Sequence, residues 1–232
     1  IGHVGIDETN RRFFVSDHGK LKIFAYDLDS VLTTPEYQPS VKIDMKKKLF
    51  PDDYLYLNDT LCIAKIIEPI GNNDYKPSVA RWNMATGEIN PMPYEYPDLK
   101  KVRFIYTASA EHQLYVQCYT QYDLMTICDF NGNLKCNIYG PKWVNEKTQT
   151  QHYSLGVEFC GDKILALYSG GDHRTDAYYP TKFLVFDLNG NYLKTLETGY
   201  MITDFCYDKE NNRLIINLND EIQFAYLDLE GI

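Results

Sequence analysis

The sequence predicts an all-β chain, a β-propeller built from four-stranded antiparallel blades, of which five are recognisable. Three observations lead there. Residues 183–194 read Phe-Leu-Val-Phe-Asp-Leu-Asn-Gly-Asn-Tyr-Leu-Lys, an apolar run, a turn of residues that tolerate positive φ, and a second apolar run, which is a hairpin written in sequence. The same phrase returns at 125–138, where Asp129-Phe130-Asn131-Gly132-Asn133 matches Asp187-Leu188-Asn189-Gly190-Asn191 at every position but one. Fainter copies at Asp27, Asn83 and Asp228 set the markers at intervals of about 40 to 60 residues, the length of a four-stranded blade. No helical stripe lies between the markers, and no helix of useful length is expected.

The elements come in order along the chain. The first unit, 2–45, holds strands at 3–7, 12–16, 22–28 and 41–45, with Glu8-Thr9-Asn10-Arg11 as its first turn. The second, 54–97, has strands at 54–57, 61–67 and 79–84, a long loop at 68–77 that includes Gly71-Asn72-Asn73-Asp74, and an outer edge at 88–97. That edge carries Pro91, Pro93 and Pro97, which suit an outermost strand because proline cannot donate to a ladder. Lys46-Lys47-Lys48 is a solvated connector before it.

The third unit, 102–139, has strands at 102–108, 113–119, 125–130 and 135–139. After a connector at 140–151 comes the fourth, 153–197, with strands at 153–159, 163–168, 182–187 and 192–197. The fifth, 202–232, supplies 202–207, 214–218 and 222–229, then lacks a fourth strand. Residues 1–232 are therefore expected to be one propeller domain, five-bladed or an incomplete six-bladed one. Either another short segment closes the ring or the natural chain continues upstream.

Formal net charge is −9, which opposes the phosphate-neutralising surface of a nucleic-acid binder, so no nucleic-acid partner is expected. The 20 tyrosines favour pleated, half-buried surfaces and are read as packing. No apolar run approaches the roughly 18 residues of a membrane-spanning helix. The sequence opens at Ile1 without a basic n-region and apolar h-region, and the expectation is that something upstream, an export signal included, has been removed. Six cysteines show neither Cys-x-x-Cys nor histidine at ligand spacing, so no metal site is expected. Hairpins turning near Tyr122 and at Asn131-Gly132 set Cys118 opposite Cys128 and Cys128 opposite Cys136. They are read as small apolar fillers, with a cross-strand disulfide as the minority alternative.

With the repeats laid out, the pattern resembles the uncharacterised TolB-like six-bladed propellers of Bacteroidetes and, more loosely, the NHL-type repeat propellers. The stretches carrying the resemblance are Arg11-Arg12-Phe13-Phe14-Val15-Ser16-Asp17, Asn212-Arg213-Leu214-Ile215 and the two Asp-x-Asn-Gly-Asn turns. The resemblance implies an exported protein, periplasmic or in the cell envelope, and no established activity.

The loop richest in chemistry is 169–180, Ser-Gly-Gly-Asp-His-Arg-Thr-Asp-Ala-Tyr-Tyr-Pro. Asp172, His173, Arg174, Asp176, Tyr178 and Tyr179 are the candidate ligand-binding residues. Their rings are placed to stack on a sugar or peptide, and Arg174 to pair a carboxylate. The function expected is a non-enzymatic binding or interaction module for a protein, peptide or carbohydrate, with no catalytic residue and no cofactor. The alternative is a glycoside hydrolase using channel carboxylates held about 5 to 9.5 Å apart, for which Asp7, Glu158 and Asp204 are the candidates. Asp129 and Asp187 share Asp-x-Asn-Gly with calcium loops but lack the distant glutamate and flanking helices, so they are read as turn-forming. No phosphate-binding, acyl-transfer or zincin motif occurs.

Overall fold

The computed structural model describes residues 2–46, 48–71, 74–97, 99 and 102–231. The chain is nearly all strand, and its fold is that of a five-bladed β-propeller, five antiparallel sheets whose strands lie in sequence order. It divides into two compact units, Ile1–Glu95 and Tyr96–Ile232.

The first unit contains two sheets: β1 (Val4–Asp7), β2 (Arg12–Asp17), β3 (Lys22–Asp27) and β4 (Ser40–Asp44), then β5 (Phe50–Asn58), β6 (Leu61–Gly71), β7 (Asp74–Asn83) and β8 (Glu88–Pro91). Their first strands, β1 and β5, lie beside each other. Phe14, Ile23, Tyr54, Ala64, Ile66, Trp82 and Met84 fill the space between the sheets. These residues alternate along their strands, so one face of each sheet is apolar and must be covered by the other.

The second unit contains three sheets. They are β9 (Phe104–Ser109), β10 (Leu114–Tyr119), β11 (Leu124–Asp129) and β12 (Leu134–Tyr139); β13 (Thr150–Cys160), β14 (Lys163–Asp172), β15 (Lys182–Asp187) and β16 (Tyr192–Glu197); and β17 (Ile202–Asp208), β18 (Arg213–Leu218) and β19 (Phe224–Asp228). The first strands β9, β13 and β17 run side by side. One apolar layer, with Val116, Met125, Tyr153, Ile164 and Phe186, joins the first two of these sheets; another, with Leu165, Phe183, Phe205, Leu214 and Ile216, joins the last two. The middle sheet is therefore buried on both faces, and the central strand β14 reads Ile-Leu-Ala-Leu with no exposed member.

The repeated turn has the same geometry both times. Oδ1 of Asp187 accepts from the backbone N–H groups of Asn189 (2.9 Å) and Asn191 (2.8 Å), and Oδ2 from Asn191 Nδ2 (2.8 Å). Asp129 does the same with Asn131 and Asn133, at 2.9 Å each time. The glycine of each turn takes positive φ, 80° at Gly132 and 86° at Gly190, and a one-residue shift of register sits just before each turn. Asp187 lies below the usual carboxylate range because the Asn191 side chain and backbone hold its charged form.

A second repeated turn joins first strands to second ones. In Asp7-Glu8-Thr9-Asn10-Arg11-Arg12 the Asp7 carboxylate accepts from Asn10 N and Nδ2 and from Arg12 Nε and Nη2, while Arg11 adopts φ of 49°. Asp208-Lys209-Glu210-Asn211-Asn212-Arg213 reproduces it, with Asp208 bonded to Asn211 and to Arg213 Nε, and with Asn212 at φ of 46°.

Several expectations are corrected. The marker at Asp27 opens a helix, not a hairpin: α1 (Leu28–Thr33) is capped by Asp27, whose Oδ1 accepts from Ser30 N at 2.7 Å. Residues 68–77 are not a loop but the tip of the β6–β7 hairpin, with Glu68 opposite Lys76 and Pro69 opposite Tyr75; Asn72 and Asn73 lie outside the described residues, as does Lys47. The outer edge of the second sheet ends at Pro91, well before Pro97.

The cysteine register differs as well. Cys118 faces Met125, Cys128 faces Tyr115, and Cys136 faces Ile127. The hairpin does turn near Tyr122, but Cys118 pairs three residues before Cys128, and a register shift between Ile127 and Cys128 sets Cys136 one residue off. An odd displacement sends alternate residues to opposite faces. All six thiols are free.

Candidate functional site

In the second unit, the loops joining second to third strands and those joining one sheet to the next emerge at one end. Backbone contacts tie them together: His152 N donates to Thr120 O (2.8 Å), Thr148 N to Gln121 O (3.3 Å) and His173 N to Gln149 O (3.2 Å). The 169–180 stretch belongs to this end. Part of it is strand, since β14 continues to Asp172 by pairing with Thr150 and Gln151 of β13.

Beyond Asp172 the chain makes a turn and a short 3-10 segment, Asp176–Tyr178. Its shape is fixed from inside. Ser169 Oγ donates to Ala177 O (2.6 Å) and accepts from Gly171 N (3.0 Å). Gly171 lies directly against the Ala177 carbonyl, where a Cβ has no room.

The six predicted residues are brought together in two groups. In the first, Asp172 Oδ1 accepts from Arg174 N (2.9 Å) and Nε (3.3 Å), and Oδ2 from Arg174 Nη2 (3.2 Å). The Arg174 side chain and backbone hold the Asp172 carboxyl below its ordinary range, so the pair is ionised at neutral pH. The Arg174 guanidinium thus already has a carboxylate within its own loop, with two of its nitrogens engaged. His173 Nδ1 lies 2.9 Å from Gln149 O, a carbonyl that can only accept; Nδ1 carries the proton, and Nε2 is the other ring nitrogen. In the second group the rings of Tyr178 and Tyr179 stand 4.2 Å apart at 31°, and the hydrogen bond to Tyr179 raises the Tyr178 hydroxyl. Asp176 is exposed beside them.

Beneath this rim lies a polar network that sequence reasoning missed. Asp123, in the β10–β11 turn, and His152, on β13, are both almost completely buried, with His152 Nδ1 3.7 Å from Asp123 Oδ1. Asp123 Oδ2 accepts from Tyr168 Oη (3.3 Å) and Lys142 N (2.9 Å). Lys142 Nζ reaches Gly170 O (3.3 Å), linking the network to the rim stretch. Burial holds His152 below its ordinary value, although the Asp123 charge pulls the other way. An isolated Asp in Tyr-Asp-Leu and a His in Gln-His-Tyr carry no motif, so no sequence signal announces them.

An aromatic cluster was missed too. Tyr139, at the end of β12, meets Trp143 of the following connector at 5.1 Å, and Tyr96 lies 5.7 Å from Trp143, all edge to face. Tyr96 and Trp143 are 47 residues apart in sequence, which hides the cluster from any local reading.

Of the carboxylates in the enzymatic alternative, Asp7 is buried in its turn and paired with Arg12 at 2.6 Å. Glu158 on β13 and Asp204 on β17 lie on neighbouring first strands, and both act on the exposed Cys206 thiol, which burial and these carboxylates raise. Among the described residues no three His, Cys, Asp or Glu side chains are placed to hold a metal ion. In the first unit a hollow of about 480 Å³ is lined by Val4, Ile6, Asp7, Arg12, Phe13 and Leu28, of which sequence reasoning names Asp7, as a candidate channel carboxylate.

Among the solved structures that share this fold are two of one protein. Both are the extracellular domain of BT4673 from B. thetaiotaomicron, described in one as a one component system and in the other as a hybrid two component system. The first is 10% identical with a TM-score of 0.62 over 97% of this chain, the second 11% identical with a TM-score of 0.57 over 97%. The likeness is one of fold. The chain spans only 27% and 28% of the length of those structures. No family model and no curated protein matches the sequence. No helix among the described residues is long and apolar enough to cross a membrane.

Proposed function

We propose that this chain is a non-enzymatic binding module of an exported, cell-envelope protein, and that its ligand seats on the rim formed by Asp172, His173, Arg174, Asp176, Tyr178 and Tyr179. One observation carries the reading. A stretch of glycine-rich chain is held in place by Ser169, Gly171 and Ala177, and the order so imposed presents an ion pair beside two close-set, tilted phenols at the surface. Rigid presentation lowers the entropy lost on binding, which is the usual reason to fix an exposed loop.

The chemistry points to a neutral, hydroxyl-rich or cationic ligand. Two carboxylates, Asp172 and Asp176, outnumber the single guanidinium, and Arg174 is already paired with Asp172. A saccharide ring or a basic peptide meets those demands by stacking on tyrosine and bonding to Asp172 and His173 Nε2.

The resemblance to TolB-like propellers and the periplasmic or envelope location belong to the same proposal. The extracellular placement printed for the two BT4673 structures supports an exported location.

The test is a titration of neutral oligosaccharides and of acidic and basic peptides against the protein by calorimetry. Arg174→Ala, Tyr178→Ala and Tyr179→Ala are each expected to weaken the ligand so found by about tenfold or more. Unchanged affinity in all three variants removes the rim from consideration.

A further inference from the structure

Two of the five histidines, His3 and His18, lie in the first unit, where the chain entering β1 and the β2–β3 turn meet the start of β5. Gly2 N donates to Ser16 O (2.8 Å) and Ser16 N to His3 O (3.0 Å), which fixes the residues ahead of β1 against β2. The His18 imidazole folds over Gly2, where an added Cβ would come within 2.9 Å of its Nε2. Each ring also has an aromatic neighbour on β5. Tyr54 stands 4.5 Å from His3 and Phe50 5.6 Å from His18, centroid to centroid.

The polar atoms of this cluster are incompletely satisfied. Nδ1 of His3 lies 2.7 Å from Asp53 Oδ1, so the ring proton sits on Nδ1 and, in the neutral ring, the inward Nε2 carries the lone pair. That Nε2 is buried without a partner among the described residues, and the same holds for Nε2 of His18. Ser16 is fully buried and Tyr54 is 2% exposed; their hydroxyls are neighbours in the same space, and neither makes a well-formed bond. By contrast, His112 Nε2 is engaged by Gly161 O and His173 Nδ1 by Gln149 O. Buried polar atoms that the protein's own bonds leave over call for a guest that supplies the missing partner.

We propose that Nε2 of His3 and Nε2 of His18 together bind one divalent transition-metal ion of the zinc class, with the Ser16 and Tyr54 hydroxyls and solvent completing its shell. The bond from His3 to Asp53 is the outer-shell contact that metal-binding imidazoles make, because it fixes the tautomer and raises the basicity of the far nitrogen. Imidazole nitrogens select this class over calcium or magnesium, which take oxygen. Burial raises the Tyr54 hydroxyl, which therefore serves as a neutral donor rather than a phenolate. Two strong donors make a weaker site than the closed four-ligand sets of structural zinc.

The test loads chelator-treated protein with Zn²⁺ and reads calorimetry and X-ray absorption at the zinc edge. One ion per chain is expected, with two imidazole nitrogens at about 2.0–2.1 Å. His3→Gln and His18→Gln are each expected to weaken binding tenfold or more, and Asp53→Ala about tenfold. Gly2→Ala, which meets only the tip of the His18 ring, is expected to weaken binding with both imidazoles retained and the fold intact. His112→Gln and His173→Gln are expected to bind as wild type. Affinity is expected to fall below about pH 6.5, as protons compete for the same nitrogens. Absence of saturable binding, a zinc shell with oxygen alone or a single imidazole, or unchanged affinity in both His18→Gln and Gly2→Ala would each overturn the proposal. An ordered water bonded to the two Nε2 atoms in crystals of zinc-treated protein would do the same.

Discussion

The hydroxyl of Tyr168 donates to Oδ2 of Asp123 across 3.3 Å, and by that bond the central strand of one sheet grips the turn of the sheet before it. Both groups are buried, and the same oxygen also takes the Lys142 N–H. A carboxylate in that place orders three chain segments at once: the β10–β11 turn, the connector and β14.

Asp123→Ala leaves the buried Tyr168 hydroxyl and the part-buried Lys142 amide without their shared acceptor. The expected loss is about 2–4 kcal/mol, against about 1 kcal/mol for Tyr168→Phe, which removes only the donor. Gly140, whose α-carbon lies against the Asp123 carboxylate, is expected to tolerate no larger residue. Urea midpoints at constant slope measure all three.

His152 gives the network a pH dependence whose sign is set by burial. Its folded-state value lies below the unfolded one, near 6.5. Above that pH neither state carries the proton; below it the unfolded chain takes one up before the folded chain does. Stability is therefore expected to fall on acidification from about pH 6.5, by up to about 1.4 kcal/mol per pH unit. Urea titrations between pH 5 and 7.5 measure the slope. His152→Gln is expected to flatten it, and an unchanged slope would assign it to other groups.

Gly190 and Gly161 both take positive φ, at 86° and 61°, but they meet different surroundings. A Cβ at Gly161 enters open space, whereas one at Gly190 comes within 2.7 Å of Cys136 Sγ and 3.0 Å of Ile138. Gly161→Ala is expected to cost about 1 kcal/mol of backbone strain, and Gly190→Ala about 1–3 kcal/mol more for overpacking. Equal losses in denaturant melts would show that the contact between the third and fourth sheets at Cys136 yields freely.

The thiols should report the corrected register. Cys62, Cys118, Cys128 and Cys160 are buried, and burial raises each of them, Cys128 to about 11. Cys206 is exposed but also raised, by burial and by Glu158, Asp204 and Asp208. A disulfide-exchange reagent at pH 8 is expected to titrate Cys206 readily and Cys136 slowly in the native protein, and six thiols in denaturant. Fewer than six in denaturant would reinstate a disulfide.

Local rules made most of the strands legible. The Asp-x-Asn-Gly-Asn turns were readable because a five-residue phrase carries its whole mechanism: one carboxylate, two amides and a glycine free to take positive φ. The second turn, Asp-x-x-Asn-x-Arg, occurs twice in the sequence and overlaps the stretches that carry the resemblance. Its role emerged only when Asp7 and Asp208 were seen holding their arginines. Asp27 misled because the same residue that starts an Asx turn also caps a helix, and the residues after it make the choice.

The site was less legible, for a physical reason. Asp172, Arg174, Tyr178 and Tyr179 are neighbours in sequence and could be named; Asp123, His152 and Tyr168 meet only because sheets pack face to face, and Tyr96 and Trp143 only because two distant connectors are brought together. By itself the sequence determined strand, turn and sheet count, since these depend on side-chain alternation and φ preference within a few residues. Register, the fate of the cysteines and the buried Asp123 network were decided by tertiary structure. Each depends on which faces meet across the core, and a shift of one residue in a strand reverses that.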